Sequence, residues 1–127
     1  MKRFRFPLDP YLAMLHREME VAEARSAELR AKRQAARRRS DDLLLQRQAA
    51  LERLSQTEPM DGEQLRGLDA WRASLAQNAI AAQDAAEKLD RPIRHAEVHA
   101  LEIRRRVELL SKVRQQRLFE HQRLENR

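Results

Sequence analysis

The residues best suited to hold a metal ion are two histidines and a glutamate, His95, His99 and Glu102, spaced by four and three positions. On a helix this spacing puts the three side chains on one face, and imidazole and carboxylate groups are both zinc ligands. The chain has no cysteine, and Ala96 stands where the helical metalloprotease motif has its glutamate. We therefore expect solvated surface residues here, with no metal site and no cofactor.

The acidic and nucleophilic residues do not form an arrangement that is typical of catalysis. Asp41 and Asp42 are adjacent, so a helix would direct them to different sides and they cannot act as a carboxylate pair. The chain contains two glycines and no glycine-rich phosphate loop. No nucleophile can be matched with a neighbouring base. We expect no catalytic residues and a protein that is not an enzyme.

Arginine supplies most of the positive charge in a chain whose net charge is +6. It is concentrated in runs that include Arg37–Arg39 and Arg104–Arg106. Such charge indicates an acidic partner, whether protein, nucleic acid or anionic lipid. Three consecutive residues spread over most of a helix circumference, and no aromatic residues alternate with them to stack bases. The runs therefore favour a solvated face, and a basic helical hairpin that binds nucleic acid is the alternative.

The elements that would position these side chains are two ladders of apolar residues with alternating spacings of three and four. The first runs from Leu8 to Leu54 and the second from Leu65 to Leu124. A mean spacing of 3.5 residues keeps one narrow stripe on one side of a helix, as a coiled-coil seam requires. The low aromatic content of 4% and the two glycines are also typical of long helices. Two helices are therefore predicted.

The break between the ladders predicts how these helices pair. Pro59 cannot continue a helix, and Asp61 with Gln64 has the pattern of a capping box at the start of a new one. A short connection favours antiparallel neighbours. We predict an all-α fold, a long antiparallel two-helix coiled-coil hairpin that forms a single domain over residues 1–127. Its parts are helix one over about 8–55, a turn over about 56–62 and helix two over about 63–126.

Pro92 lies inside the predicted second helix. An interior proline removes a hydrogen bond and clashes with the preceding turn, at a cost of ~3 kcal/mol. The ladder nevertheless passes from Leu89 to Ile93 without a change of phase. We therefore predict a longer second helix that is kinked at Pro92. The alternative is a three-helix bundle in which Asp90 caps a new helix.

Several large apolar residues fall outside the ladders and are candidates for partner-binding surfaces. One group lies near the break: Leu44, Leu45, Leu51 and Trp71. These residues either bind a partner or flank the seam and widen the core. A second group lies at the opposite end of the predicted hairpin: Phe4, Phe6, Leu118 and Phe119.

The N-terminus is basic, with Lys2, Arg3 and Arg5, but no apolar segment follows it. Charged residues from Asp9 onward interrupt any such segment, so we predict no secretory signal. The chain also has no stretch near the ~18 apolar residues that a membrane span needs.

The opening Phe4-Arg-Phe6-Pro-Leu8 and the Ala- and Glu-rich helix that follows resemble the start of the flagellar export protein FliJ family. The likeness continues with Trp71 and Leu75 after the break and with a basic final helix, and it covers essentially the whole chain. Pro92 departs from that family's second helix. The resemblance implies an antiparallel two-helix coiled coil in the flagellar type III protein export apparatus.

The resemblance also implies partners and a location. The partners are the flagellar export ATPase ring, the export gate protein and export chaperones, with no small-molecule substrate, no nucleic acid and no membrane insertion. The location is cytoplasmic, peripheral to the inner face of the cell membrane at the flagellar base, with a role in flagellum biogenesis, motility and chemotaxis. The residues implied for the ATPase ring are Phe4, Phe6, Leu8, Arg114, Arg117 and Leu118, and those for the gate are Leu44, Gln48, Trp71 and Leu75. A generic structural coiled coil, dimerising through Leu44, Leu45 and Trp71, remains a third possibility.

Overall fold

The structure is a computed structural model that describes residues 3–56, 59 and 61–126. It contains three helical segments, α1 (Asp9–Gln56), α2 (Gly62–Lys88) and α3 (Asp90–Glu125). Only Leu89 separates α2 from α3, and the two segments form one longer helix that is bent near Pro92. The described residues contain no strand, and the predicted all-α helical hairpin with a longer second helix is confirmed.

Helix α1 begins directly after a turn in which the Asp9 N–H donates to the Phe6 carbonyl at 3.0 Å. Pro10 follows in the first turn, where its missing N–H leaves no hydrogen bond unmade. The helix then runs for 48 residues, rich in Ala, Leu, Arg and Glu and without glycine. It ends one residue beyond the predicted boundary. Three of the seven residues of the predicted turn (57, 58 and 60) lie outside the described residues.

The start of α2 has the predicted capping box. The Asp61 carboxylate accepts a hydrogen bond from the Gln64 N–H at 2.8 Å, and the Gln64 side chain accepts one from the Asp61 N–H at 3.3 Å. Two backbone donors that have no partner within the helix are satisfied in this way. The capping prediction is therefore confirmed.

The bend between α2 and α3 follows from Pro92, which lies in the first turn of α3. Because proline has no N–H and its ring crowds the carbonyl four residues earlier, the regular hydrogen bond to the Lys88 carbonyl is lost. Leu89 keeps right-handed helical angles, and its N–H donates to the Ala86 carbonyl at 3.1 Å. The chain therefore bends and remains helical. Asp90 lies inside the first turn of α3, and its carboxylate accepts a hydrogen bond from Arg33 at 3.0 Å.

The chain divides into two compact units. We call Met1–Ala27 with Ile93–Arg127 the terminal unit, and Glu28–Pro92 the central unit. The core of the terminal unit joins α1 to α3 and consists of Leu12, Leu15, Ala22, Ala100, Ile103 and Val107, with Met19 and Leu110 partly buried against it. All of these residues are rungs of the two apolar ladders, so the predicted seam is the core of this unit.

The central unit has a smaller core, in which Leu43 of α1 packs with Leu75 and Ala79 of α2. A buried serine also joins the helices, because the Ser40 hydroxyl donates to the Ala79 carbonyl at 3.1 Å. These residues are also ladder rungs. Ser40 and Ala79 are small, so they bury little apolar area. Over residues 3–56, 59 and 61–126, no helix combines the length and the apolar content needed to cross a bilayer.

We expect Leu15→Ala to lower the free energy of unfolding by about 2–4 kcal/mol, because it removes buried methyl groups and leaves a cavity. Leu15 is 1% exposed in the seam of the terminal unit. The matched control is Leu109→Ala, since Leu109 is 64% exposed on α3 and its loss should change stability by less than about 0.5 kcal/mol. Urea unfolding followed by circular dichroism measures both. Similar losses in the two variants would contradict this assignment of the seam.

Candidate functional site

The chain before α1 forms an arm that packs on α3 inside the terminal unit. The Phe6 ring is 2% exposed, and the Arg117 guanidinium carbon lies 5.7 Å from its centroid. The Phe4 ring is contacted by Arg114, whose guanidinium carbon is 5.5 Å from the centroid, and by the His121 ring, whose centroid is 5.6 Å away. These distances are those of cation–π and aromatic contacts. The arm is therefore held by its two aromatic rings.

An ion pair connects the same arginine to the start of α1. Arg114 Nε donates to Asp9 Oδ1 at 2.8 Å, and both side chains are about two-fifths exposed, at 37% and 44%. Solvent screens a pair of this exposure, so its contribution is of the order of 0.2–1 kcal/mol. Arg114 nevertheless contacts two groups, the Asp9 carboxylate through a hydrogen bond and the Phe4 ring through a cation–π contact. We call Phe4, Phe6, Asp9, Arg114, Arg117 and His121 the arm cluster.

Four of the six residues predicted to bind the ATPase ring come together in the arm cluster: Phe4, Phe6, Arg114 and Arg117. Burial makes Phe6 a packing residue of the terminal unit, so its ring is not presented to a partner. Leu8 is exposed and Leu118 is half-buried. Among the cations of the predicted set, Arg117 is the more accessible, since Arg114 is half-buried between Phe4 and Asp9.

Two members of the arm cluster, Asp9 and His121, are not among the predicted site residues. Asp9 lies in the first turn of α1 against Arg114. His121 contacts Phe4 as well as Glu125, whose Oε1 lies 3.2 Å from its Nε2. His121 lies on the second ladder, four residues after Arg117 and three before Leu124, so the polar residues at the end of that ladder are the signal that could have identified it.

The residues predicted to bind the export gate divide between the core and the surface of the central unit. Leu75 is buried against Leu43 and Ala79, so it supports the helix pair from within. Leu44, Gln48 and Trp71 are exposed. Leu45 is exposed as well, whereas Leu51 is half-buried.

Leu44 lines a groove between α1 and α2, which we call the central groove. Its lining consists of Ser40, Asp41, Leu44 and Arg47 from α1 and Ala76, Ala79, Ile80 and Gln83 from α2. Trp71 is not among the described residues that line it. Leu44 therefore lines the same groove as Ile80, an exposed residue that is not among the predicted site residues.

Two arginines of the central unit have a buried Nε atom without a hydrogen-bond partner among the described residues, Arg47 and Arg72. Arg72 makes one weak contact within its own helix, from Nη1 to Asp69 Oδ1 at 3.5 Å. Buried donors without acceptors are uncommon in native structures, and each calls for a physical reason. Arg33 differs from both, because it donates to Asp90 at 3.0 Å.

The remaining basic runs are in part neutralised within the chain. Arg104 pairs with Glu23, and this carboxylate raises the pKa of Arg104 above its ordinary value through a hydrogen bond and its charge. The run Arg104–Arg106 is therefore not a free patch. Arg37–Arg39 are exposed and form no ion pair with another described residue.

His95 and His99 are exposed on α3. His95, His99 and Glu102 do not form a metal-binding group, and the described part of the chain contains no set of three His, Cys, Asp or Glu residues arranged to hold a metal ion. His99 instead lines a groove of the terminal unit with Met14, Val21 and other residues.

Comparison of the chain with protein-family models, with characterised proteins and with solved structures finds no match. The evidence that bears on function therefore lies in the arm cluster, in the central groove and in the distribution of charge.

We expect Phe6→Ala to lower the free energy of unfolding by about 3 kcal/mol. This value is near the lower limit for a buried phenylalanine, because an arm at a chain end can also detach without global unfolding. Phe119→Ala is the control, since Phe119 is 62% exposed and its loss should cost less than about 0.5 kcal/mol. Urea unfolding gives the global value, and amide hydrogen exchange over residues 3–8 reports arm detachment. Unchanged exchange and stability in Phe6→Ala would refute the docking of the arm.

Proposed function

We propose that this protein is a non-enzymatic adaptor of the bacterial flagellar type III protein export apparatus. It binds the export ATPase ring and the export gate protein and assists the handling of export chaperones. The observation that carries the proposal is the arm cluster: the Phe4-Arg-Phe6-Pro-Leu8 segment, on which the resemblance to the FliJ family depends most, is docked beside the exposed Arg117.

The distribution of charge supports the terminal unit as the part that meets an acidic partner. Residues 1–27 with 93–127 carry 14 Lys and Arg against 9 Asp and Glu, whereas residues 28–92 carry 12 against 11. Most of the net charge of +6 thus belongs to the terminal unit. A surface of one sign speeds encounter with a surface of the other, and arginine binds carboxylates through two parallel hydrogen bonds.

The arm cluster gives this attraction a defined geometry. The Arg117 guanidinium lies over the buried Phe6 ring, so it is partly fixed in place and loses less conformational freedom when it binds a carboxylate. Lys112 and Arg123 are exposed on the same helix and add to its positive charge. Binding at this end should therefore be strongly salt-sensitive.

The central unit is the proposed contact for the export gate. Its exposed apolar residues Leu44, Ile80 and Trp71 offer hydrophobic contact, and its near balance of charge makes electrostatic attraction a smaller term there. Leu75 contributes indirectly, by fixing α2 against α1 from the core. A cytoplasmic location at the inner face of the membrane, beside the flagellar base, follows from this role.

We expect Arg117→Glu to weaken binding to the cognate export ATPase by at least about tenfold at low salt, which corresponds to ~1.4 kcal/mol. Arg94→Glu is the matched control, because Arg94 is also exposed on α3 and the substitution makes the same change in net charge. It lies 23 residues away, roughly 35 Å along a helix and beyond the reach of screened charges. Titration calorimetry at two salt concentrations measures the effect, with unfolding midpoints to confirm that each variant folds.

Absence of salt-sensitive binding by the wild-type chain, or equal losses in both variants, would refute the ATPase contact. Tight binding of duplex or single-stranded nucleic acid at physiological salt, with a steep salt dependence, would instead support the alternative of a nucleic-acid-binding hairpin.

A further inference from the structure

The docked arm brings two further cations to the end of α3. Arg3 and Arg5 are exposed, whereas Phe4 and Phe6, which alternate with them, contact residues of α3. Arg5 directly precedes Phe6, and the Phe6 ring lies 5.7 Å from the Arg117 guanidinium carbon. Docking of the arm therefore concentrates positive charge from two segments that are far apart in the sequence.

The described residues do not neutralise this charge. Asp9 pairs with Arg114 at 2.8 Å. Arg3, Arg5 and Arg117 are exposed and form no ion pair with another described residue. Because like charges repel, the aromatic contacts of the arm must outweigh this repulsion in the free chain.

Arg117 can bind a carboxylate while it covers Phe6. A guanidinium that lies over an aromatic ring makes the contact through its flat face, and its N–H groups point outward in the plane of that face. Arg117 is exposed, so these donors are accessible beside the cation–π contact. Arg114 differs, because its Nε already donates to Asp9 at 2.8 Å.

We propose that Arg5 and Arg117, with Arg3 beside them, form a composite site for an acidic segment of a partner protein, and that binding of this segment locks the arm onto α3. The carboxylates of the segment remove the repulsion that opposes docking, and they connect the arm to the helix. The site is complete only when the arm is docked. Binding of the acidic segment and docking of the arm therefore favour each other by the same factor.

A protein segment suits this site better than a nucleic acid does. The Phe4 and Phe6 rings contact α3 and are not free to stack on bases. Three cations also make few phosphate contacts, and nucleic-acid binding at physiological salt depends on many. The inference rests on the proposed function only for the identity of the partner.

The test uses the full chain and a ten-residue peptide that alternates glutamate with serine. A second peptide has glutamine in place of every glutamate. We expect the glutamate peptide to bind at least about tenfold more tightly at low salt, by fluorescence anisotropy. When it saturates the chain, amide hydrogen exchange over residues 3–8 should slow by at least about fivefold.

Arg117→Gln should weaken binding of the glutamate peptide and abolish the slowing of arm exchange, because the peptide then has no anchor on α3. Arg123→Gln is the matched control, since Arg123 is an exposed cation of the same helix and the substitution makes the same change in net charge. It should keep most of the affinity and all of the slowing. Phe6→Leu should also lower the affinity, although Phe6 is buried and cannot touch the peptide. Unfolding midpoints confirm that each variant folds.

Faster arm exchange in the presence of the glutamate peptide would show that the peptide and the arm compete, and would overturn the proposal. Unchanged exchange would do the same, as would equal losses of affinity in Arg117→Gln and Arg123→Gln, which would reduce binding to diffuse attraction. Duplex DNA that binds more tightly than the glutamate peptide at physiological salt, with a loss in Arg117→Gln, would assign the site to nucleic acid and overturn the proposal.

The two proposals fail separately. Slowed arm exchange with the glutamate peptide, together with no binding to the export ATPase, would refute the flagellar role and leave this inference intact. An ATPase complex in which arm exchange is unchanged would refute this inference and leave the flagellar role.

Discussion

A two-helix hairpin buries only one stripe of each helix, and this constraint governs the rest of the structure. Ladder rungs form the described core clusters of both units, and the neighbouring turns face solvent. With so little apolar area to bury, each polar rung is costly unless it is paired. Ser40 meets this requirement through the Ala79 carbonyl and Arg33 through Asp90. Arg47 and Arg72 do not meet it fully, because the Nε atom of each is buried without an acceptor among the described residues.

The same constraint explains the arm of the terminal unit. Helix α1 begins at Asp9, which pairs with Arg114, whereas α3 continues to Glu125, so the part of α3 beyond Arg114 has no helix opposite it among the described residues. The arm supplies the missing partner with two aromatic rings, of which Phe6 is buried as deeply as the largest seam residues. Each ring covers more area than an alanine or serine rung, so a short extended segment can replace more than one helical turn. This arrangement needs cations on α3 that can lie over the rings, and Arg114 and Arg117 provide them.

The features that depend on local spacing were predictable from the sequence. The ladders identified the buried rungs, Asp61 with Gln64 identified the start of α2, and unbroken phase across Pro92 indicated a bend. Features that depend on two distant segments were not. The burial of Phe6 and its contact with Arg117 require the path of a non-helical arm, and the pairing of Leu44 with Ile80 requires the rotational setting of both helices. The ATPase, gate and chaperone roles come from resemblance and stay predictions.

The arginines of the arm cluster and of the seam differ in what their guanidinium groups contact. In the arm cluster Arg114 is held by Asp9 and Phe4, so its charge is used inside the terminal unit. On the seam Arg33 is matched by a carboxylate. Arg47 and Arg72 each have a buried Nε that finds no acceptor among the described residues, and Arg72 makes only a weak contact, from Nη1 to Asp69 Oδ1 at 3.5 Å. A buried donor without an acceptor lowers the stability of a helix pair with a thin core, so the paired and apolar rungs of the seam must supply more of its stability.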